Sequence, residues 1–175
     1  MNPREFSSFL LISLCCCFFS FYYRIFPLFI IFFFLFRFDL YPFYRDDEEF
    51  AHWFLPRDNV VNSFVIEGKN GKITDFLSYY YLNSSIINNP RYKTLCAVYS
   101  FYNVAGTVDM TTLMNNSLIL AKINGADVFN CLDLMENNKV FEKLKFGPGD
   151  GMLQYYLYNW RTPQIECAKV GLVLL

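Results

Sequence analysis

A glycine-rich turn that carries an acid is the first candidate for chemistry. Residues 145–151 read Lys-Phe-Gly-Pro-Gly-Asp-Gly, so three glycines and Asp150 fall within seven positions. Glycine lets the backbone adopt positive φ and lets another molecule approach the chain closely. A substrate-binding loop and a tight turn at the entry to a strand both fit this pattern, and composition alone favours the turn.

The apolar end of the chain is the second candidate. Residues 170–175 read Val-Gly-Leu-Val-Leu-Leu, which predicts a strand that runs to Leu175. Such a strand would carry a free carboxylate into or against a core. Desolvation raises the pKa of a carboxyl group, and a carboxylate with a raised pKa is a plausible base for an amine. The alternative is an ordinary terminal strand whose end is solvated.

Other catalytic and metal-binding patterns are absent from the sequence. His52, the single histidine, is interpreted as a half-buried structural residue beside Trp53, because no nucleophile-elbow pattern accompanies it. The six cysteines contain no Cys-x-x-Cys pair, and no two-histidine spacing indicates a metal site. The 15 Lys and Arg against 16 Asp and Glu leave a net charge of -1, which argues against a nucleic-acid partner.

Composition divides the chain near residue 45. Residues 1–45 contain 13 of the 21 Phe and form the first predicted domain, an apolar Phe-rich segment. Its apolar stretches, residues 9–23 and 25–36, each fall short of the roughly 20 residues that a membrane-spanning helix needs. Three interpretations stay open: a membrane anchor with contact through residues 9–36, an artefact of the gene model, and a buried part of the fold. Residues 46–175 form the second predicted domain.

Periodicity and turn residues predict the elements that must position the candidates. An Asn-Gly pair at residues 70–71 separates two β-rich runs, 60–66 and 73–82, and predicts a hairpin. Helical spacing over 111–122, followed by Gly125, predicts a helix, and Asn137 could cap another. Further strands are predicted at residues 95–102, 126–131, 152–160 and 170–175. Strands interleaved with helices predict an α+β sheet domain.

The glycine-rich turn belongs to a longer series of motifs. Residues 145–151 resemble the C-terminal signature of the N-myristoyltransferases, or glycylpeptide N-tetradecanoyltransferases. Further motifs occur in that family's order and spacing: His-Trp-Phe at 52–54, Ile-Thr-Asp-Phe-Leu-Ser at 73–78, Tyr-Ser-Phe-Tyr at 99–102, Asp-Val-Phe-Asn at 127–130, Leu-Asp-Leu-Met-Glu-Asn at 132–137, Gln-Tyr-Tyr-Leu-Tyr-Asn-Trp at 154–160 and Val-Gly-Leu-Val-Leu at 170–174. The resemblance covers roughly residues 47–175 and does not extend to residues 1–45.

The resemblance implies a GNAT-like acyl-CoA N-acyltransferase fold, of which this chain would form the C-terminal of two pseudo-symmetric halves. In the family, the N-terminal half binds the co-substrate myristoyl-CoA and supplies the oxyanion hole. Its signature, Glu-x-Asn-Phe-Leu-Cys-Val-His-Lys, is absent from the 175 residues, so most of the myristoyl-CoA site is expected to lie outside this chain. No prosthetic group and no metal are expected, and the family's location is cytoplasmic.

The implied reaction transfers a myristoyl group to the N-terminal glycine of a peptide or protein. The carboxylate of Leu175 would take a proton from the glycine ammonium, and the neutral amine would attack the thioester directly. Asp150 would favour substrates with a basic residue a few positions in. The implied peptide groove is lined by Ser84, Tyr99, Asn130, Leu132, Asp150, Gly151 and Leu153.

We expect this chain to be inactive on its own, because the resemblance places the oxyanion donors in the other half of the family's fold. The alternative is a non-catalytic, membrane-associated remnant, or a truncated product, that keeps only the peptide groove.

Overall fold

The fold is built on one mixed sheet of five strands. The computed structural model describes residues 11–13, 31, 34–69 and 71–173. The strands are β1 (Leu11–Ser13), β2 (Val61–Glu67), β3 (Ile73–Tyr81), β4 (Ser84–Ser85), β5 (Thr94–Leu95), β6 (Ala97–Val104) and β7 (Val128–Asn130). The sheet order is β1-β2-β3-β6-β7, and β4 pairs with β5 separately. All pairs are antiparallel except β6 with β7, which is parallel.

Helices alternate with the strands along the chain, before β2, between β6 and β7, and after β7. They are α1 (Asp47–Phe54), α2 (Met110–Ile123), α3 (Asn138–Phe141) and a 3-10 helix at Cys167–Lys169. The carboxylate of Asp109 caps α2 by accepting from the N–H groups of Thr111 and Thr112. Gly125 follows with φ of 85°, which a glycine adopts without the steric cost of a Cβ. The helix predicted over 111–122 is therefore confirmed.

The predicted hairpin is also confirmed, as β2 and β3. The strands pair from Val61 opposite Tyr80 to Ile66 opposite Asp75. The Gly68 N–H closes the turn by donating to the Lys72 carbonyl at 2.8 Å.

Both faces of the sheet are buried, because consecutive residues of β2 pack into two different core clusters. Val65 belongs to a first core cluster that also contains Phe54 of α1 and Val173 near the end of the chain. Phe64 belongs to a second cluster, which α2 completes with Leu113. Successive strand residues point to opposite faces, so α2 covers one face while α1 and the end of the chain cover the other.

A β-bulge breaks that alternation in β6. The register of β3 against β6 shifts by one residue between Leu77 and Tyr79, so Phe101 and Tyr102 both face the single residue Ser78. The Ser78 hydroxyl donates to the Tyr102 carbonyl at 2.9 Å and accepts from the Tyr102 N–H at 3.0 Å. As a result, Phe101 and Tyr102 both pack in the first core cluster.

Asp75 ties β3 to the loop that leads into α2. Its buried carboxylate accepts from the backbone N–H groups of Gly106, Thr107 and Val108 at 2.8, 2.9 and 3.1 Å. The hydroxyls of Thr74, at 2.6 Å, and of Thr107 donate to its second oxygen. Burial alone would raise the pKa of Asp75, but the hydrogen bonds from Thr107, Thr74 and the amides outweigh it and lower that pKa below its ordinary value.

Two predicted strands differ from the structure. Residues 152–160 form no strand, so that prediction is wrong. The segment is irregular, and its exposed large side chains are Met152, Leu153, Tyr156, Leu157, Tyr158 and Trp160. Of the strand predicted over 170–175, the described residues 170–173 form one parallel bridge, between Leu40 and Val170. Apolar and aromatic residues form a strand only where a free sheet edge can pair with them.

Part of the Phe-rich segment packs into the fold. Ile31, Phe34, Leu35 and Phe38 lie in the first core cluster, and β1 forms one edge of the sheet. This packing favours the interpretation of those residues as a buried part of the fold. Among the residues that the structure describes, no helix has the length and apolarity needed to cross a membrane. The division at residue 45 and membrane contact through residues 9–36 stay predictions.

Replacement of Asp75 tests the tie between β3 and the loop. Asp75→Asn is expected to destabilise the fold by about 1–3 kcal/mol at pH 7, because a neutral amide replaces a charged acceptor that is buried. The folded pKa is lowered, so the contribution of Asp75 is complete above the unfolded pKa of about 3.9 and is lost as pH falls through the folded pKa.

Urea unfolding of the native chain and the variant, at pH 7 and at successively lower pH, measures the effect. The difference between the two proteins should shrink below pH of about 4. Asp133→Asn, at an exposed position, is the control. An equal loss in both variants would contradict the assignment.

Candidate functional site

Parallel pairing of β6 with β7 brings together two residues of the predicted groove. Tyr99 and Asn130 are register partners, and both are half-buried. β7 ends at Asn130, whereas β6 continues to Val104. Leu132 follows shortly after β7, and it packs with Tyr99 against the first core cluster. The end of the short parallel ladder is therefore the centre of the candidate site.

An aromatic wall backs this centre. The Tyr99 ring stacks on the ring of Tyr80 in β3, with centroids 5.5 Å apart and planes at 20°. Burial raises the pKa of Tyr80 to about 12, and the neighbouring phenols of Tyr99 and Tyr155 add to the shift. The Tyr80 phenol is therefore neutral at physiological pH and provides surface to the site, not a base.

The one cysteine within this part of the chain is not activated. Cys131 lies between Asn130 and Leu132 in sequence, and burial raises the pKa of its thiol to about 12 despite a hydrogen bond with Ser100. The thiolate, not the thiol, is the nucleophile, so Cys131 is unsuited to form an acyl-enzyme. The residues that the structure describes also contain no group of three potential metal ligands.

The glycine-rich turn is open to solvent. Asp150, Gly151 and Leu153 lie on the exposed, irregular segment that follows α3. A Cβ built on Gly149 or Gly151 would meet no atom within 4 Å. Positive φ occurs at Lys145, with 58°, and not at the glycines of the turn. The expectation that these glycines supply positive φ is therefore wrong. Because they have no side chains, they instead leave open space beside the backbone.

Ser84 lies apart from the parallel ladder. It forms β4 and pairs with Leu95 of β5, outside the five-stranded sheet, and it is exposed. Of the predicted groove residues, the structure thus unites Tyr99, Asn130 and Leu132 in one region. It places the other four on exposed segments.

His52 has a different setting from the predicted one. It is exposed, with its ring 5.4 Å from that of Trp53, and its carbonyl accepts from Arg57 Nη2 at 2.8 Å. A hollow of about 180 Å³ opens nearby, lined by Trp53, Arg57, Val60, Val61, Tyr80, Tyr81, Leu82 and Phe101. Tyr80 contributes to this hollow and to the aromatic wall, a connection that no sequence pattern indicates.

The C-terminal segment, residues 169–173, is anchored in the core by backbone hydrogen bonds. They run from Asp39 N to Lys169 O at 2.9 Å, from Gly171 N to Leu40 O at 2.7 Å and from Met135 N to Val170 O at 3.1 Å. Val170 and Val173 are buried in the first core cluster. The segment therefore lies on the same cluster as Tyr99 and Leu132. Leu175, the predicted base, lies outside the described residues.

Most of the chain matches the sequence model of one protein family. The family model described as "Myristoyl-CoA:protein N-myristoyltransferase, C-terminal domain" matches residues 29–172. The chain belongs to the N-myristoyltransferase family. The match begins earlier than residue 47, where the motif resemblance begins.

Two relatives of this chain in the N-myristoyltransferase family are much longer than it is. Glycylpeptide N-tetradecanoyltransferase 2 of Bos taurus is 57% identical over 129 residues, which cover 74% of this chain and 26% of that protein. The probable glycylpeptide N-tetradecanoyltransferase of Caenorhabditis elegans is 51% identical over 138 residues, or 79% of this chain and 31% of that protein. The chain thus spans about a quarter to a third of these relatives.

Solved structures confirm the predicted α+β, GNAT-like fold. The crystal structure of Saccharomyces cerevisiae N-myristoyltransferase with bound myristoyl-CoA matches with a TM-score of 0.77 at 30% identity, over 97% of this chain and 45% of the yeast chain. A ribosomal-protein-alanine N-acetyltransferase from Brucella melitensis matches over 87% of this chain and 100% of its own, with a TM-score of 0.54 at 13% identity. At that identity, the second likeness concerns the fold alone.

Close packing at Gly171 yields a test of how the C-terminal segment is held. A Cβ at Gly171 would lie 2.5 Å from Cδ2 of the buried Phe38 ring. Gly171→Ala is therefore expected to destabilise the fold by about 1–3 kcal/mol, the usual cost of overpacking a core. Gly149→Ala is the matched control, because its Cβ would point into open space. Urea unfolding of both variants measures the difference, and equal stabilities would show that the segment is not packed as described.

Proposed function

We propose that this chain is the peptide-binding part of an N-myristoyltransferase. Together with a part that binds myristoyl-CoA, it would transfer a myristoyl group to the N-terminal glycine of a peptide or protein. The observation that carries the proposal is the family match over residues 29–172. The names of the relatives specify glycylpeptides as substrates, and the yeast structure contains myristoyl-CoA.

The end of the parallel ladder supplies chemistry suited to a peptide terminus. The half-buried Asn130 offers an amide that can donate and accept hydrogen bonds, next to the apolar wall of Tyr99 and Leu132. The exposed carboxylate of Asp150 would attract a basic residue of the substrate. The open space at Gly149 and Gly151 would let a second backbone approach.

The carboxylate of Leu175 is our candidate for the base. The anchoring of residues 169–173 in the core supports it, because the chain reaches Val173 along a defined path. The carboxylate would accept a proton from the glycine ammonium. The freed amine would attack the thioester carbonyl, an amide bond would form, and the thiol of CoA would leave. No acyl-enzyme is needed, which agrees with the high pKa of Cys131.

We further propose that residues 1–175 alone bind peptide without turnover. Electrostatic stabilisation of the developing oxyanion is usually the largest catalytic contribution in acyl transfer. The motif implied to supply it is absent from these residues. A non-catalytic remnant that keeps the groove would bind peptide equally well. An enzyme part and a remnant can therefore be distinguished only by measuring turnover in a protein that also contains the myristoyl-CoA-binding part.

Peptide titration of the full chain tests the proposal. A peptide with a free N-terminal glycine and a lysine a few positions in should shift the NMR signals of Tyr99 and Asn130, whereas the N-acetylated peptide should not. Asp150→Asn should weaken binding of the lysine peptide by about two- to fivefold, the worth of an exposed ion pair. It should leave binding of the same peptide with alanine for lysine unchanged. Equal binding of the free and acetylated peptides would refute the proposal.

Removal of Leu175 tests the base in a protein able to turn over. In a chimera, residues 46–175 replace the matching part of the bovine relative, and transfer of labelled myristate is measured. Deletion of Leu175 withdraws the carboxylate by about 3.5 Å and is expected to abolish transfer while peptide binding changes little. Leu175→Ala keeps a carboxylate at the same position and should retain far more transfer. Undiminished turnover after the deletion would remove the terminal carboxylate from the mechanism.

A further inference from the structure

Two tyrosines hold one peptide group of the C-terminal segment. The Val173 N–H donates to the Tyr102 hydroxyl at 3.0 Å, and the Tyr155 hydroxyl donates to the Leu172 carbonyl at 2.9 Å. The N–H of Val173 and the C=O of Leu172 belong to the same planar peptide group. Both polar ends of that plane are therefore satisfied by side chains, and rotation of the plane would break both bonds.

The bulge in β6 is what brings Tyr102 to this peptide. In a regular strand, Phe101 and Tyr102 would point to opposite faces of the sheet. The extra residue turns both toward the first core cluster, where the C-terminal segment lies. Tyr102 is 0% exposed and Val173 is 7% exposed, so their hydrogen bond is shielded from water and costly to leave unmade.

Tyr155 reaches the same peptide from the segment that follows the glycine-rich turn. It belongs to the exposed segment 152–160, but it is half-buried, while its neighbours Gln154 and Tyr156 are exposed. It packs against the first core cluster. The glycine-rich turn and the end of the chain are thereby linked through one phenol.

The Tyr102 hydroxyl is itself held in place. It shares a hydrogen bond with the hydroxyl of Tyr44, which lies at the end of the Phe-rich segment. Burial raises the pKa of Tyr102 to about 12, so the phenol stays neutral at physiological pH and can accept from Val173. Tyr102 is thus not a candidate for the base, and its contribution is geometric.

We propose that Tyr102 and Tyr155 are positioning residues for acyl transfer, which hold the Leu172–Val173 peptide and so fix the direction in which the chain leaves the core. The inference rests on the proposed function, because it concerns the carboxylate assigned there as base. Two residues extend at most about 7 Å, so a free peptide at Leu172–Val173 would let that carboxylate occupy many positions. Catalytic groups must stay within about 0.5 Å of their working geometry.

The full chain can be tested without turnover. Leucine labelled with 13C at the carboxyl carbon makes the carboxylate of Leu175 the one labelled carbon that titrates, so NMR can follow its titration midpoint. Amide hydrogen exchange of Val173 is measured alongside. The variants are Tyr102→Phe and Tyr155→Phe, each of which removes one hydroxyl and leaves the ring. Tyr79→Phe is the matched control: Tyr79 is buried, and its hydroxyl accepts from Asn124 at 2.8 Å, in the second core cluster.

In Tyr102→Phe, exchange of the Val173 amide is expected to accelerate about tenfold, the worth of one buried hydrogen bond. In both variants, the titration midpoint of the Leu175 carboxyl should move toward the value of about 3.3–3.7 that a free chain end has. Tyr79→Phe should change neither quantity. If Tyr102→Phe does not fold, Tyr155→Phe at its half-buried position carries the test.

Unchanged titration in both Tyr102→Phe and Tyr155→Phe would overturn the inference, as would an equal change in Tyr79→Phe. Failure of the proposed function has a different signature. A glycine peptide would then leave the Tyr99 and Asn130 signals unmoved, whatever the tyrosine variants do to Val173 and Leu175.

Discussion

The path of the C-terminal segment depends on a single surplus residue in β6. Ser78 faces both Phe101 and Tyr102, and its hydroxyl satisfies the backbone groups of Tyr102 that the bulge takes out of the ladder. Phe101 then stacks on Phe54 of α1, with ring centroids 5.1 Å apart. Tyr102 meets Val173. One local irregularity thus joins the sheet, α1 and the end of the chain.

The residues that meet there are far apart in sequence. Leu40 pairs with Val170, and Phe38 packs on Gly171. The end of the Phe-rich segment is therefore part of the surface that shapes the C-terminal segment. Composition alone assigns these two regions to separate segments. It shows that residues 1–45 are apolar, but it does not show which residues they pack against.

Sequence patterns predicted the elements whose signals are local. The hairpin of β2 and β3 and the helix α2 each carry their own turn or capping residues, so they form as expected. Residues 152–160 have the composition of a strand but pair with no sheet edge, and composition does not report whether an edge is available. In the predicted terminal strand, Val170 is the one residue among the described 170–173 that forms a β-bridge, with Leu40.

The residues of the candidate site also differ in whether a local sequence pattern predicts their positions. A helix between two strands predicts that they pair in parallel, so the neighbourhood of Tyr99 and Asn130 follows from the order of the elements. Tyr102 is different, because regular alternation sends its side chain to one face of the sheet and the bulge sends it to the other. The bulge depends on the hydroxyl of Ser78 in another strand, which no pattern within β6 encodes. The contact of Tyr155 with the C-terminal segment depends on the irregular path of residues 152–160, where the composition predicts a strand.

The loop between β6 and α2 has its backbone amides already occupied. Successive N–H groups that converge near the start of a helix form a concave nest for anions such as phosphate. Here Gly106, Thr107 and Val108 direct theirs onto Asp75, so a carboxylate of the chain itself takes the place that a phosphate group would fill. Any anion that docked at this turn would have to displace the buried carboxylate of Asp75 from these three amides.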